Sequence, residues 1–306
     1  MVDKLIEKII AMQNPTCVGL DTDFGYLPDE IKNDVTDFEG VAKQITEFNK
    51  NIIDAVCDIV PSVKVQIAYY EMYGEYGVKA FNDTVNYAKN KGLIVIADCK
   101  RNDIGSTASC YAKAYLGETE VGGKNLNAFK ADMLTVNGYL GSDGIEPFVK
   151  EIKQHDKSIF VLVKTSNPSS GEFQNLKLGS GEYVYEHMGK LVEKWGADTV
   201  GKYGYSEVGA VVGATHPEEA EHLRNLLKTT FFLIPGYGAQ GGKGADLVPF
   251  FNKDGLGAIV NSSRGIIAAY KQEKYAAFGE TGYADASRAA VLDMKEDIAS
   301  ALAARV

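Results

Sequence analysis

Cysteine is scarce in this 306-residue sequence, and Cys17, Cys57, Cys99 and Cys110 are scattered without a single CxxC pair. That pattern argues against a zinc site or a disulfide framework and fits a reducing compartment, with the thiols read as small buried apolar groups. Long apolar runs are missing too, so no stretch suits a bilayer crossing. The N-terminal MVDKLIEKIIAMQ mixes Asp3, Lys4, Glu7 and Lys8 among its apolar positions, which makes it an amphipathic helix and not the unbroken core of a signal peptide. A cytoplasmic location is the expectation. Basic charge is in deficit: the formal net charge is -9 and the pI is near 5.1. No positive field is available for a polyphosphate backbone, so nucleic acid is excluded as a partner and any phosphate must be held locally. HExxH, EF-hand, Walker and dinucleotide-binding motifs are all absent. Nor does a linker rich in Pro or Ser, or a shift of composition, mark a second domain.

What is present is a rhythm of eight short apolar runs: CVGLD (17 to 21), VKVQIA (63 to 68), LIVIADC (93 to 99), MLTVN (133 to 137), IFVLVK (159 to 164), VGAVVG (208 to 213), FFLIPG (231 to 236) and GAIVNSS (257 to 263). Continuous Val, Ile and Leu runs suit parallel strands covered on both faces. Helical periods lie between them, as from Val41 to Ile59, from Tyr70 to Lys89, and from Ala286 to Ala304, where Val291, Met294, Ile298 and Leu302 share one stripe. Eight β/α units predict a single-domain (β/α)8 TIM barrel over residues 1 to 306, with an open doubly wound sheet as the alternative. The longest excursion, from Thr165 to about Tyr205, carries NPSSGEF and LGSGEY. Long connections of this kind tend to be functional lids.

Barrel chemistry sits where strands end and βα loops begin. In IADCKRNDIGSTASCYA, Asp98 and Lys100 are two apart on a strand and point to the same side, toward the barrel mouth. Asp103 follows in the turn, where it could reach across a subunit boundary. The alternatives are an interior salt bridge for the first two and a cap on a helix beginning near Ser106 for the third. Two carboxylates flanking one ammonium leave negative charge in a partly dry cleft, which burial penalises unless another cation compensates it. Lys64 in VKVQ could be that cation, or a strand-end lysine reaching to water. Each opposite pair at contact is worth about 4 kcal/mol in Coulomb terms at an effective dielectric near 20, so an alternating order is preferred. After the seventh strand comes IPGYGAQGGKG with Gln240, and after the eighth NSSRGI with Arg264. Both offer backbone NH groups and side-chain donors to a phosphate, or else are two tight turns with a surface arginine. Asp21 in GLDTD could accept bonds from sugar hydroxyls or form a turn, and Ser166 in TSNPSSG could meet a substrate ring or be part of a polar loop. His155, His187, His216 and His222 fall in or beside helical segments, so no histidine stands out as a base or metal ligand, and lysine is left as the proton carrier.

These residues resemble the orotidine 5'-phosphate decarboxylase family, and within it the longer bacterial branch. The resemblance is carried by D-x-K-R-x-D-I-G-S-T at Asp98 to Thr107 and, in order, by GLD, VKVQ, TSNPSSGEF, PGYGAQGG and NSSRGI. It implies loss of CO2 from orotidine 5'-monophosphate to give uridine 5'-monophosphate, without metal or organic cofactor. Lys100 would protonate C6 of the ring, Asp98 would lie near the departing carboxylate, and Lys64 would complete the array. Asp103 and Thr107 would enter the site from the other subunit of a homodimer. Asp21 would hold a ribose hydroxyl, Ser166 the pyrimidine, and Gln240 with Arg264 the phosphate. Asn102 stands where the motif usually has Gly, and Gly138 where Pro is common, which bears on loop geometry and not on functional groups. Two rivals remain: a metal-dependent sugar-phosphate decarboxylase or aldolase of the same superfamily, and a non-catalytic sensor of a phosphorylated ligand.

Overall fold

A computed structural model describes residues 1–32, 34–215, 217–238 and 242–305. His216 and Gln240, for which roles were considered above, lie outside the described residues. All eight apolar runs become strands: β1 (Thr16–Leu20), β2 (Ser62–Gln66), β3 (Ile94–Arg101), β4 (Met133–Val136), β5 (Ser158–Lys164), β6 (Val208–Val212), β7 (Phe232–Ile234) and β8 (Ala258–Ser262). Each pairs in parallel with its neighbours in chain order, and β8 closes on β1. Closure excludes the open sheet.

Side chains alternate across a strand, so parity decides what fills the barrel and what meets the helices. Cys17, Ile96, Met133, Phe160, Val211, Leu233 and Ile259 form one buried cluster inside the barrel. Their neighbours Val18, Val63, Val95, Leu134, Val161, Val260 and others pack outward against the helices in a second, larger cluster. The amphipathic N-terminal helix Val2–Met12 inserts Val2, Leu5, Ile6 and Ile9 into the interior cluster. It therefore plugs the end of the barrel away from the strand C-termini. The stripe expected near the chain end is real: in the helix Tyr283–Ala303, Val291, Met294 and Ile298 are buried against the barrel layer, and Leu302 packs at its edge.

Two features depart from the sequence reading. A small antiparallel hairpin, Thr119–Val121 with Lys124–Leu126, turns on Gly122 and Gly123 at φ +59 and +76, the left-handed pair that a two-residue hairpin loop requires. The expectation that the cysteines are buried holds for Cys17 and Cys99, whose thiols burial pushes up to about 12. It is corrected for Cys57, which is half-buried, and for Cys110, which is exposed. Cys110 lies on the helix Gly105–Tyr115 away from Ala108, Ala112 and Tyr115, the residues that face the core.

Candidate active site

The same parity that turns Ile94 and Ile96 into the barrel turns Asp98 inward, and the outward parity of Val63 and Val65 leaves Lys64 facing in. Asp21 is the first residue beyond β1. Lys64 Nζ lies 2.8 Å from Asp21 Oδ1 and 3.0 Å from Asp98 Oδ2, and Lys100 Nζ lies 2.7 Å from Asp98 Oδ1. The result is a line of alternating charge, Asp21, Lys64, Asp98, Lys100, buried at its centre and open to solvent at both ends, where Asp21 and Lys100 are 24% and 45% exposed. Burial works against the charge on Lys64, but Asp21 and Asp98 outweigh it and hold its pKa well above the ordinary lysine value. Burial likewise works against ionised Asp98, and Lys64 and Lys100 outweigh it, holding that carboxyl well below the usual range. Mutual pairing is what makes two buried charges tolerable here.

The fourth member of the line is set by an irregularity. Ala97 pairs with Leu134 and the register resumes with Arg101 opposite Val136, so residues 98, 99 and 100 of β3 face Thr135 alone. Lys100 takes φ +49, a left-handed conformation that costs a side-chain-bearing residue roughly 1–2 kcal/mol. Its N–H donates to Thr135 Oγ1 at 3.0 Å, and the Thr135 hydroxyl donates to Asp98 Oδ1 at 2.8 Å. Such bulges re-aim side chains next to functional sites.

On either side of the charged line the mouth opens into two lobes. One, of about 360 Å³, holds Asp21, Tyr26, Tyr69 and the ends of β7 and β8, where Gly236, Ser262, Ser263 and Arg264 converge. The other, of about 380 Å³, holds Lys100, Thr135 and Ser166 over an apolar wall of Leu162, Val211, Leu233 and Pro235. Lys64 and Asp98 line both. One lobe thus suits a polar, anionic group and the other a flat ring with a few polar edges.

The Thr165 to Tyr205 excursion is anchored beside the second lobe. Thr165 N–H donates to Gln174 Oε1 at 3.0 Å, Gln174 Nε2 donates to Thr165 Oγ1 at 2.7 Å, and the buried Lys164 donates to Asn175 Oδ1 at 2.6 Å. Burial lowers the Lys164 pKa. The rest of the excursion is built around the helix Val184–Gly196.

Asp103 and Thr107 stand apart from this line. Among the described residues Asp103 makes no ion pair, and its carboxylate accepts only the N–H of Ile104 at 2.8 Å. The following helix begins at Gly105 with no side-chain cap, so the capping alternative for Asp103 does not describe it. Ile104 is 58% exposed and Thr107 is exposed. Thr135, Lys164 and the two tyrosines were not singled out from the sequence. His155, His187 and His222 pair with Glu151, Glu182 and Glu186, outside both lobes. Among the described residues no group of three or more His, Cys, Asp or Glu side chains could hold a metal ion.

Fold and cavity together define a (β/α)8-barrel enzyme with a line of alternating carboxylates and ammonium groups at the C-terminal mouth. The Orotidine 5'-phosphate decarboxylase / HUMPS family matches residues 16–278. The chain is 45% identical over 302 residues to the orotidine 5'-phosphate decarboxylase of Petrotoga mobilis, covering 98% of each chain. It is 44% identical over 286 residues to that of Caldicellulosiruptor bescii, covering 92% of this chain and 93% of the relative. The solved OMP decarboxylase of Leishmania donovani superimposes with a TM-score of 0.74 at 28% identity, over 99% of this chain and 98% of that one. The chain belongs to the orotidine 5'-phosphate decarboxylase family.

Proposed function

We propose that this chain removes CO2 from orotidine 5'-monophosphate to give uridine 5'-monophosphate, the final step of pyrimidine nucleotide synthesis, with Lys100 as the acid. The observation that carries the reading is that Asp98 and Lys100, 2.7 Å apart, sit between an apolar lobe and a polar corner containing Arg264. The pyrimidine occupies the apolar lobe with Ser166 at its polar edge, Asp21 takes the ribose hydroxyls, and Arg264 with Gln240 takes the phosphate. The bond from C6 to the carboxyl group breaks, the electron pair stays on C6, and CO2 leaves. Lys100 gives C6 a proton and regains one from water. A fixed cation beside a carbanion-like carbon stabilises charge where it develops. Asp98 faces the departing carboxylate, and Lys64 prevents the two acids from carrying uncompensated charge. Phosphate binding far from C6 orients the ring and raises the rate without touching the reacting bond.

In the same reading the enzyme is a homodimer in which Asp103 and Thr107 of one subunit complete the site of the other. Asp103, which makes no ion pair among the described residues, and the exposed Ile104 and Thr107 support this, because none of the three lines either lobe of their own site. Its place is the cytoplasm, in keeping with four free thiols and with the absence, among the described residues, of a helix long and apolar enough to cross a membrane. The test is addition of orotidine 5'-monophosphate to protein in excess EDTA. Loss of the substrate's absorbance with equimolar CO2 and uridine 5'-monophosphate is expected. An inert nucleotide, with a sugar phosphate turned over only when divalent metal is restored, would overturn the assignment.

A further inference from the structure

We infer that Thr135 is a positioning residue for the decarboxylation, its hydroxyl taking the place of the missing β3–β4 ladder bond and so fixing the Lys100 ammonium against the Asp98 carboxylate. The inference rests on the reaction proposed above. Regular pairing is lost between Ala97 and Arg101, and Thr135 is the one β4 residue opposite the three positions in between. The Lys100 N–H would there be left without a backbone acceptor, a costly state for a partly buried group. Thr135 Oγ1 accepts it at 3.0 Å. Having accepted from an N–H, the hydroxyl turns its own proton to the acceptor in reach, Asp98 Oδ1 at 2.8 Å. One oxygen therefore ties the backbone of the proton donor to the carboxylate that the donor's side chain also grips at 2.7 Å. Nothing else on β4 can do this: Met133 points inward below the site, and Leu134 and Val136 face the helices.

Packing alone does not call for a hydroxyl here. Thr135 is 1% exposed and borders the apolar lobe beside Leu162, where valine would fill the same volume. What valine cannot do is hold Lys100 at its φ of +49. Relaxation toward extended geometry would carry the ammonium away from C6 while leaving Arg264, on a different loop, where it is.

The experiment compares Thr135→Val and Thr135→Ser with the wild type in steady-state turnover of orotidine 5'-monophosphate, in binding of uridine 5'-monophosphate, and in hydrogen exchange of the Lys100 amide. For Thr135→Val, kcat is expected to fall about 10- to 100-fold, the scale of a catalytic group displaced by about 1 Å. Product affinity should stay within about threefold and the Lys100 amide should exchange faster. Thr135→Ser, which restores the oxygen, should return kcat to within about threefold of wild type. If the valine variant does not melt cooperatively, Thr135→Ala takes its place with the same expectation. A hydroxyl-free variant with kcat within twofold of wild type, or a serine variant as slow as the valine one, overturns the inference. A wild-type protein that never turns over the nucleotide would instead refute the decarboxylase reading itself.

Discussion

Gly213, just past β6, lies so close to Ser166 that a Cβ built on the glycine would stand 2.7 Å from the serine Cβ and 2.8 Å from its backbone nitrogen. Real Cβ atoms do not approach backbone so closely, so the loop carrying Ser166 must move if Gly213 gains a side chain. Gly213→Ala is therefore expected to lower kcat/KM about tenfold or more, through misplacement of the ring, while leaving the charged line intact. Steady-state kinetics beside a thermal melt check it. Unchanged kcat/KM would show that Ser166 has no part in holding the substrate.

Lys100 and Arg264 should separate cleanly in kinetics, because they line different lobes of the mouth. Lys100→Ala removes a group used only as the bond breaks, so turnover should fall by several orders of magnitude while uridine 5'-monophosphate still binds within about tenfold of wild type. Arg264→Ala should instead weaken nucleotide binding, by about 2–3 kcal/mol for a lost charge-assisted contact. Calorimetric titration with the product and single-turnover rates distinguish the two. Retained turnover in Lys100→Ala would remove lysine from the chemistry.

Most of the barrel was legible because parallel strands covered on both faces leave short continuous apolar runs such as IFVLVK and VGAVVG, and eight of them alternate with helical periods. Parity along the third run also turned Asp98 toward the barrel mouth, whereas Lys64 was left between a compensating cation and a lysine reaching to water until the structure buried it between Asp21 and Asp98. The bulge at Lys100 was not legible, since it depends on register between β3 and β4 and on a hydroxyl 35 residues away. For the same reason Asp21 read as a sugar ligand or turn former, when it also closes an ion pair with Lys64. Lys164 ends a strand and so looks like a lysine reaching to water, yet the excursion that follows folds back and buries it against Asn175 and the ring of Tyr185. The hairpin around Gly122 and Gly123 did carry a signal, two glycines between strand formers. Its strands are three residues each, too short to register as a period.

The charged line makes acid stability predictable. Asp98 has its carboxyl depressed in the folded state, so the stability it contributes is fully present above the unfolded-state value of about 4 and is lost as pH falls through the folded value. Between those limits the wild type should lose about 1.4 kcal/mol per pH unit from this group alone. Asp98→Asn should flatten that part of the profile. Lys64→Met at neutral pH leaves Asp21 and Asp98 with a lost cation between them, and a cost of roughly 3–5 kcal/mol is expected for breaking a buried pair. Urea titrations carried from neutral pH down to well below the unfolded-state carboxyl value measure both, and an Asp98→Asn profile as steep as wild type in the acid range would deny the depressed carboxyl.

Among the described residues of its own chain, the Asp103 carboxylate accepts only the N–H of Ile104. If each site joins Lys100 of one subunit to Asp103 of the other, Lys100→Ala and Asp103→Ala proteins are each nearly inactive alone. In a mixed dimer one site receives both substitutions and the other receives neither. Equal mixing with full exchange makes about half of the dimers mixed, and one site in two within them is intact, so activity should recover to about one quarter of wild type. Recovery should follow subunit exchange, appearing after mild denaturation and renaturation together but not after mixing of separately refolded proteins. A site built within one chain would contain a defect in every subunit, and no order of mixing would restore it.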